Sequence, residues 1–145
     1  MKIAFGCDHG GYDLKEDVIE FLKSRDIEVL DFGTHSTASV DYPNYGKAVG
    51  EAVQSKDADL GIVICGTGIG ISLAANKVKG IRAAVVSDTF SARMARMHNN
   101  ANVLAFGSRV VGKGLAIDLV KAWLDSSFEG DRHKRRVDKI MAIED

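Results

Sequence analysis

The chain has 145 residues, 46% hydrophobic and 27% charged, with 19 Lys and Arg against 20 Asp and Glu, a formal net charge of −1. That length fits one domain, here residues 1–145, whose core needs no disulfide or metal staples. The balanced charge excludes a strongly basic nucleic-acid binder and an acidic disordered tail, and no apolar run approaches the roughly 18 residues of a membrane helix.

Met1-Lys2-Ile3-Ala4-Phe5 leads at once into Asp8-His9, too soon polar for a signal peptide. Two cysteines make no disulfide framework. A cytoplasmic protein without membrane or nucleic-acid partners is expected. The apolar run Lys2–Cys7 predicts a strand covered on both faces, and Leu14, Val18, Phe21 and Leu22 then follow helical spacing. A second strand is expected over Ile27–Leu30. Pro43, suited to a first helical turn, precedes Val49, Ala52 and Val53. Leu60–Cys65 predicts a third strand, followed by Gly66-Thr67-Gly68-Ile69-Gly70 and a small-residue helix containing Ser72, Ala74 and Ala75. Ile81–Val86 and Val103–Phe106 are the fourth and fifth strands. Phe90, Met94 and Met97 mark the stripe of the helix between them, and Leu115, Leu119, Val120 and Trp123 that of the helix after them. Val137, Ile140 and Met141 mark a terminal helix.

Five strands, each followed by a helix, imply right-handed crossovers and an α/β fold. The expected architecture is a three-layer αβα sandwich around a five-stranded parallel sheet with a C-terminal helix. Strand order does not follow from the pattern. Ligands of such sheets bind outside the carboxyl ends of the strands. Those ends collect Cys7-Asp8-His9-Gly10-Gly11, Asp31-Phe32-Gly33-Thr34, Cys65 to Gly70, Ser87-Asp88-Thr89 and Gly107-Ser108-Arg109. The site is expected at that edge.

Cys65-Gly66-Thr67-Gly68-Ile69-Gly70 is the strongest local signal. Alternate glycines let backbone amides converge at a helix start, which suits an anion and favours a thiolate at Cys65. It is not a dinucleotide fingerprint, a Walker loop or a cysteine-phosphatase loop, because Ile71 stands where each needs another residue. A buried structural cysteine before a tight turn is the plainer alternative. Asp8-His9 fits contact with sugar hydroxyls or a proton relay, or else a capping Asp beside a surface His. His98-Asn99 ends a helix, where a histidine is commonly an exposed cation. In Arg132-His133-Lys134-Arg135-Arg136, Arg132 and Arg136 stand four apart, so two guanidinium forks share a helix face and fit a phosphate; a solvated basic face is the commoner use of such a run. Arg109 could join the clamp. Cys7 and Cys65 do not make a zinc motif, and no metal is expected.

Taken together, Gly6 to Gly11, Asp41-Tyr42-Pro43, Ile64 to Ile71, Arg96 to Asn99, Asn102 to Arg109 and Glu129 to His133 resemble the ribose-5-phosphate isomerase B family. The broader group with the galactose-6-phosphate isomerase subunits is similar too, and the match spans the whole chain in order. The resemblance implies a Rossmann-like homodimer, with the tetramer left open, and sites between subunits. It implies cofactor-free interconversion of ribose 5-phosphate and ribulose 5-phosphate in the pentose phosphate pathway. By the same resemblance Cys65 accepts the proton and His98 is the acid that opens the furanose ring. Asp8 and His9 contact the sugar, Gly66, Thr67, Gly68, Ile69 and Gly70 hold the enediolate, and Tyr42 lines the pocket. Asn99, Arg109, Arg132 and Arg136 complete sugar and phosphate binding, some from the partner chain. A non-catalytic phosphate-binding module and a thiol-redox protein built on Cys7 and Cys65 are the alternatives.

Overall fold

The structure, a computed structural model, describes residues 1–145. Its strands are β1 (Lys2–Cys7), β2 (Glu28–Asp31), β3 (Leu60–Cys65), β4 (Ala83–Val85) and β5 (Val103–Gly107). They form one parallel sheet in the order β2-β1-β3-β5-β4. The helices are α1 (Tyr12–Ser24), α2 (Tyr42–Gln54), α3 (Ile69–Asn76), α4 (Thr89–Met97), α5 (Lys113–Leu124) and α6 (Asp131–Ala142).

Side chains alternate across a strand, and that alternation builds the layers. Ile3, Phe5 and Cys7 of β1, Ile62 and Ile64 of β3, and Leu104 and Phe106 of β5 point to one face, packed against α1, α4 and α5. Ala4, Val63, Cys65, Val103 and Ala105 point to the other, beneath α2 and α3. Both faces are dry, so the central strands carry unbroken apolar runs. Lys15 of α1 is buried; its Nζ pairs with Asp31 at 2.9 Å and donates to the Thr34 carbonyl at 2.8 Å, tying α1 to the end of β2.

The elements differ from the sequence expectation where packing, not periodicity, decides. β2 lies one residue later than Ile27–Leu30, and β4 keeps only Ala83–Val85 of Ile81–Val86 because it is an edge strand paired with β5 alone. On α4 the expected stripe is not the buried one: Phe90 is 62% exposed, while Ala92 and Ala95 are buried. The helix packs closely on α5, where a small residue fits and a phenylalanine does not. Leu115 of α5 and Ile140 of α6 are exposed as well, while Leu119, Val120 and Trp123 of α5 and Val137 of α6 are buried as expected and Ala116 joins them. No helix is long and apolar enough to cross a membrane.

Strand order positions the site. From β1 the chain passes to β2 on one side, and β3 lies on the other. A crevice therefore opens between the carboxyl ends of β1 and β3, the topological switch point of a doubly wound sheet. α6 contrasts with the rest: it makes little contact with the other helices and strands and is anchored through buried His133 and Val137.

Candidate active site

Cys65 ends β3 with its side chain buried, and the chain turns sharply beyond it. Gly68 adopts φ 80°, a left-handed conformation, and a Cβ there would sit 2.6 Å from the Phe106 carbonyl carbon. Only glycine meets both demands. The turn aims the Gly68 N–H at Cys65 Sγ, 3.0 Å away. The Ile69 N–H is held by Thr67 Oγ1 at 3.2 Å, so these two amides already have partners. Gly70 lies under the Tyr42 ring, which a Cβ would meet at 2.5 Å.

Residues from β1 and β5 complete this edge. A Cβ on Gly10 would come within 3.0 Å of the Gly66 nitrogen, so the loops after β1 and β3 touch. Asp8 is buried and its Oδ1 accepts the Gly11 N–H at 3.0 Å, so it does shape the start of α1. His9 Nδ1 accepts the Val40 N–H at 3.2 Å, which leaves Nε2 as the proton-bearing nitrogen of the neutral ring. The Ser108 hydroxyl donates to the Gly10 carbonyl and straps β5 to the β1 loop. The Arg109 guanidinium lies against Gly66, where an added Cβ would approach Nη1 to 3.0 Å. Asp8, His9, Cys65 to Gly70 and Arg109 thus form one cluster.

His98, Asn99, Arg132 and Arg136 do not join it. A helix that follows a parallel strand runs back along the sheet, so α4 delivers its C-cap His98 to the amino edge. There the Asn102 N–H bonds to the carbonyl of Arg82, the residue before β4. β5, five residues or roughly 16 Å of extended chain, separates this end from Arg109. The segment leading into α6 is fastened at the same edge by the Glu129 N–H to the Met97 carbonyl at 3.0 Å. Arg132 and Arg136 are exposed and four apart on helical α6, as their spacing predicts. The single-edge expectation therefore holds for the candidates at strand ends and not for His98, Asn99, Arg132 and Arg136. Each helix reverses direction, so residues at helix ends land opposite those at strand ends.

The second cluster contains two residues to which the sequence reading assigned no role. The His98 and His133 rings stack with centroids 4.1 Å apart and 9° between planes. Glu129 Oε2 lies 3.4 Å from His133 Nε2 and 4.0 Å from His98 Nε2. Burial pushes the His133 imidazole below its ordinary value, the nearby His98 adds to that, and Glu129 opposes it. The visible signal was the spacing of Glu129 and His133, one helical turn apart. Although these ligand-type atoms lie within 4.8 Å of one another, the stacked rings hold their lone pairs side by side. A tetrahedral cation needs donors that converge on one point.

The two thiols are free, and burial pushes that of Cys7 up to about 12. A cavity of about 640 Å³ lies beside α1 and is lined by residues that include Tyr12, Lys15, Asp31 and His35, without Cys65.

Residues 3–140 match the family described as Ribose/Galactose Isomerase. The chain is 55% identical to ribose-5-phosphate isomerase B of Escherichia coli strain K12, covering 99% of this chain and 96% of that protein. The structure of ribose-5-phosphate isomerase B from Clostridium thermocellum superposes with a TM-score of 0.98 at 60% identity, covering 99% of this chain and 97% of that one. That of the Mycoplasma genitalium ribose-5-phosphate isomerase B with bound ribulose-5-phosphate gives 0.94 at 45% identity, covering 99% and 95%.

Proposed function

The chain belongs to the ribose/galactose isomerase family, and we propose from that membership that it interconverts ribose 5-phosphate and ribulose 5-phosphate without a cofactor. The observation that carries the chemistry is Cys65, its sulfur met by the Gly68 N–H at the switch point of the sheet. Aldose–ketose exchange needs a base for the weakly acidic C2 proton and donors for the oxyanion that develops on the neighbouring carbonyl oxygen. In this reading the Cys65 thiolate takes the C2 proton and returns it to C1. The amides of Gly66, Thr67 and Gly70, near the start of α3, face the enediolate, while Gly68 and Ile69 hold the sulfur and the loop. Asp8 and His9 bind sugar hydroxyls. His98 opens the furanose ring, Asn99 binds the sugar, and Arg109, Arg132 and Arg136 hold the phosphate, whose binding energy positions the reacting carbons.

With the two clusters at opposite edges of one chain, a complete site takes the Cys65 cluster of one protomer and the His98 cluster of another. A homodimer meets that need with two equivalent sites, and a tetramer would be two such dimers. The sparsely packed α6, which carries Arg132 and Arg136, is suited to reach a partner. Two cysteines, too few for a disulfide framework, fit a reducing compartment. The enzyme is assigned to the cytoplasm, as a step of the pentose phosphate pathway acting through the single domain of residues 1–145.

The test is kcat/KM of the purified protein on ribose, allose and galactose phosphates. Ribose 5-phosphate is expected to lead. Turnover of none of the three, with phosphosugar binding retained, would leave a binding module in place of an isomerase.

A further inference from the structure

Nε2 of His133 is the one buried side-chain nitrogen or oxygen in the chain without a hydrogen-bond partner. An orphan of this kind is costly unless it serves the site around it. His133 is 6% exposed and holds its ring flat against that of His98. The His98 side chain stays partly open, 37% exposed. Glu129 stands beside both Nε2 atoms, and its own backbone is pinned to the last carbonyl of α4. The backbone turns sharply just afterwards, at Gly130 with φ 74° and Asp131 with φ 47°, so α6 starts where His133 meets His98. The ring comes from the end of α4, and its backing and carboxylate come from the stretch that opens α6.

We propose that Glu129 is a positioning residue for His98, fixing which imidazole nitrogen carries the proton while His133 backs the ring, and that this pair acts specifically in opening the sugar ring. The proposal rests on the isomerase reading. Ring opening breaks the C1–O4 bond. Its electron pair goes to O4, which takes a proton from His98, and the anomeric hydroxyl loses its proton to solvent as the C1 carbonyl forms. An acid in this role must hold one orientation, because proton transfer works only within hydrogen-bond reach. A freely rotating imidazole at a helix C-cap would not hold it. A carboxylate on the far side of a histidine commonly fixes the ring's tautomer and orientation.

The test separates ring opening from enolisation. Ribulose 5-phosphate carries phosphate on the hydroxyl that would close a furanose ring, so it is open-chain and needs no ring opening. Incorporation of solvent deuterium at its C1 reports the Cys65 step alone. Glu129→Gln, at an exposed position, is expected to lower kcat on ribose 5-phosphate about tenfold while leaving the exchange rate within about twofold of the original. In a His98→Asn background the same substitution is expected to add nothing, since Glu129 acts through His98. Equal losses in both reactions, no loss in either, or a further loss in the His98→Asn background would each overturn the proposal. If the unaltered protein performs neither reaction, the isomerase reading itself has failed, which is a different result.

Discussion

Cys7 and Cys65 end neighbouring strands but face opposite sides of the sheet. Cys7 pairs in register with Ile64, one residue before Cys65, and packs under α1 and α5, whereas Cys65 packs under α2 and α3. The sheet between them keeps the two thiols apart, which disfavours the thiol-redox alternative. Cys65→Ala is expected to cut turnover by roughly 10²–10⁴-fold while phosphosugar binding persists. Cys7→Ala should retain activity. The paired assays decide it, and a dead Cys7→Ala beside an active Cys65→Ala would reverse the assignment.

Cys7 also predicts an alkaline stability slope. Burial raises its folded value above the ordinary 9.0 to about 12, so the native thiol keeps a proton that the unfolded chain gives up. Stability from this group is fully present below pH 9 and declines as pH rises toward 12. Urea unfolding at about pH 8 and about pH 11 should show the decline, and Cys7→Ala should flatten it. A variant with the same slope would place the titration elsewhere.

The proposal that each site is shared between two protomers makes a prediction by complementation. Cys65→Ala and His98→Asn homodimers should each be nearly inactive. Mixed after dissociation, they should recover about a quarter of the original activity, since hybrid dimers hold one site with both residues intact. A site contained in one chain would recover nothing.

Arg136 is assigned to phosphate rather than to proton transfer. Its replacement by Ala should raise KM for ribose 5-phosphate by about tenfold or more with kcat little changed, as loss of one charge-assisted contact requires. A collapse of kcat at constant KM would move Arg136 into the chemical step.

Gly68 couples fold and site. Gly68→Ala must place a Cβ at φ 80° and 2.6 Å from the Phe106 carbonyl carbon. A loss of about 1–3 kcal/mol in stability is expected, together with lower activity, because the N–H facing Cys65 moves with it. Denaturant unfolding and kcat on the same sample test both. Unchanged unfolding would mean that the turn relaxes freely.

The amino-acid order alone carried the layers and the chemistry at the strand ends. Unbroken runs such as Leu60–Cys65 mark strands buried on both faces, and the Cys65–Gly70 spacing marks a turn that only small residues allow, because both depend on neighbours along the chain. Local periodicity could not choose which face of α4 is buried, since Ala92 and Ala95 win over Phe90 only when α5 lies against them. Nor could it order the strands, place the crevice between β1 and β3, or set His98 at the edge opposite Cys65 and against His133. Those follow from contacts between segments distant in sequence, and only the folded chain's packing selects them.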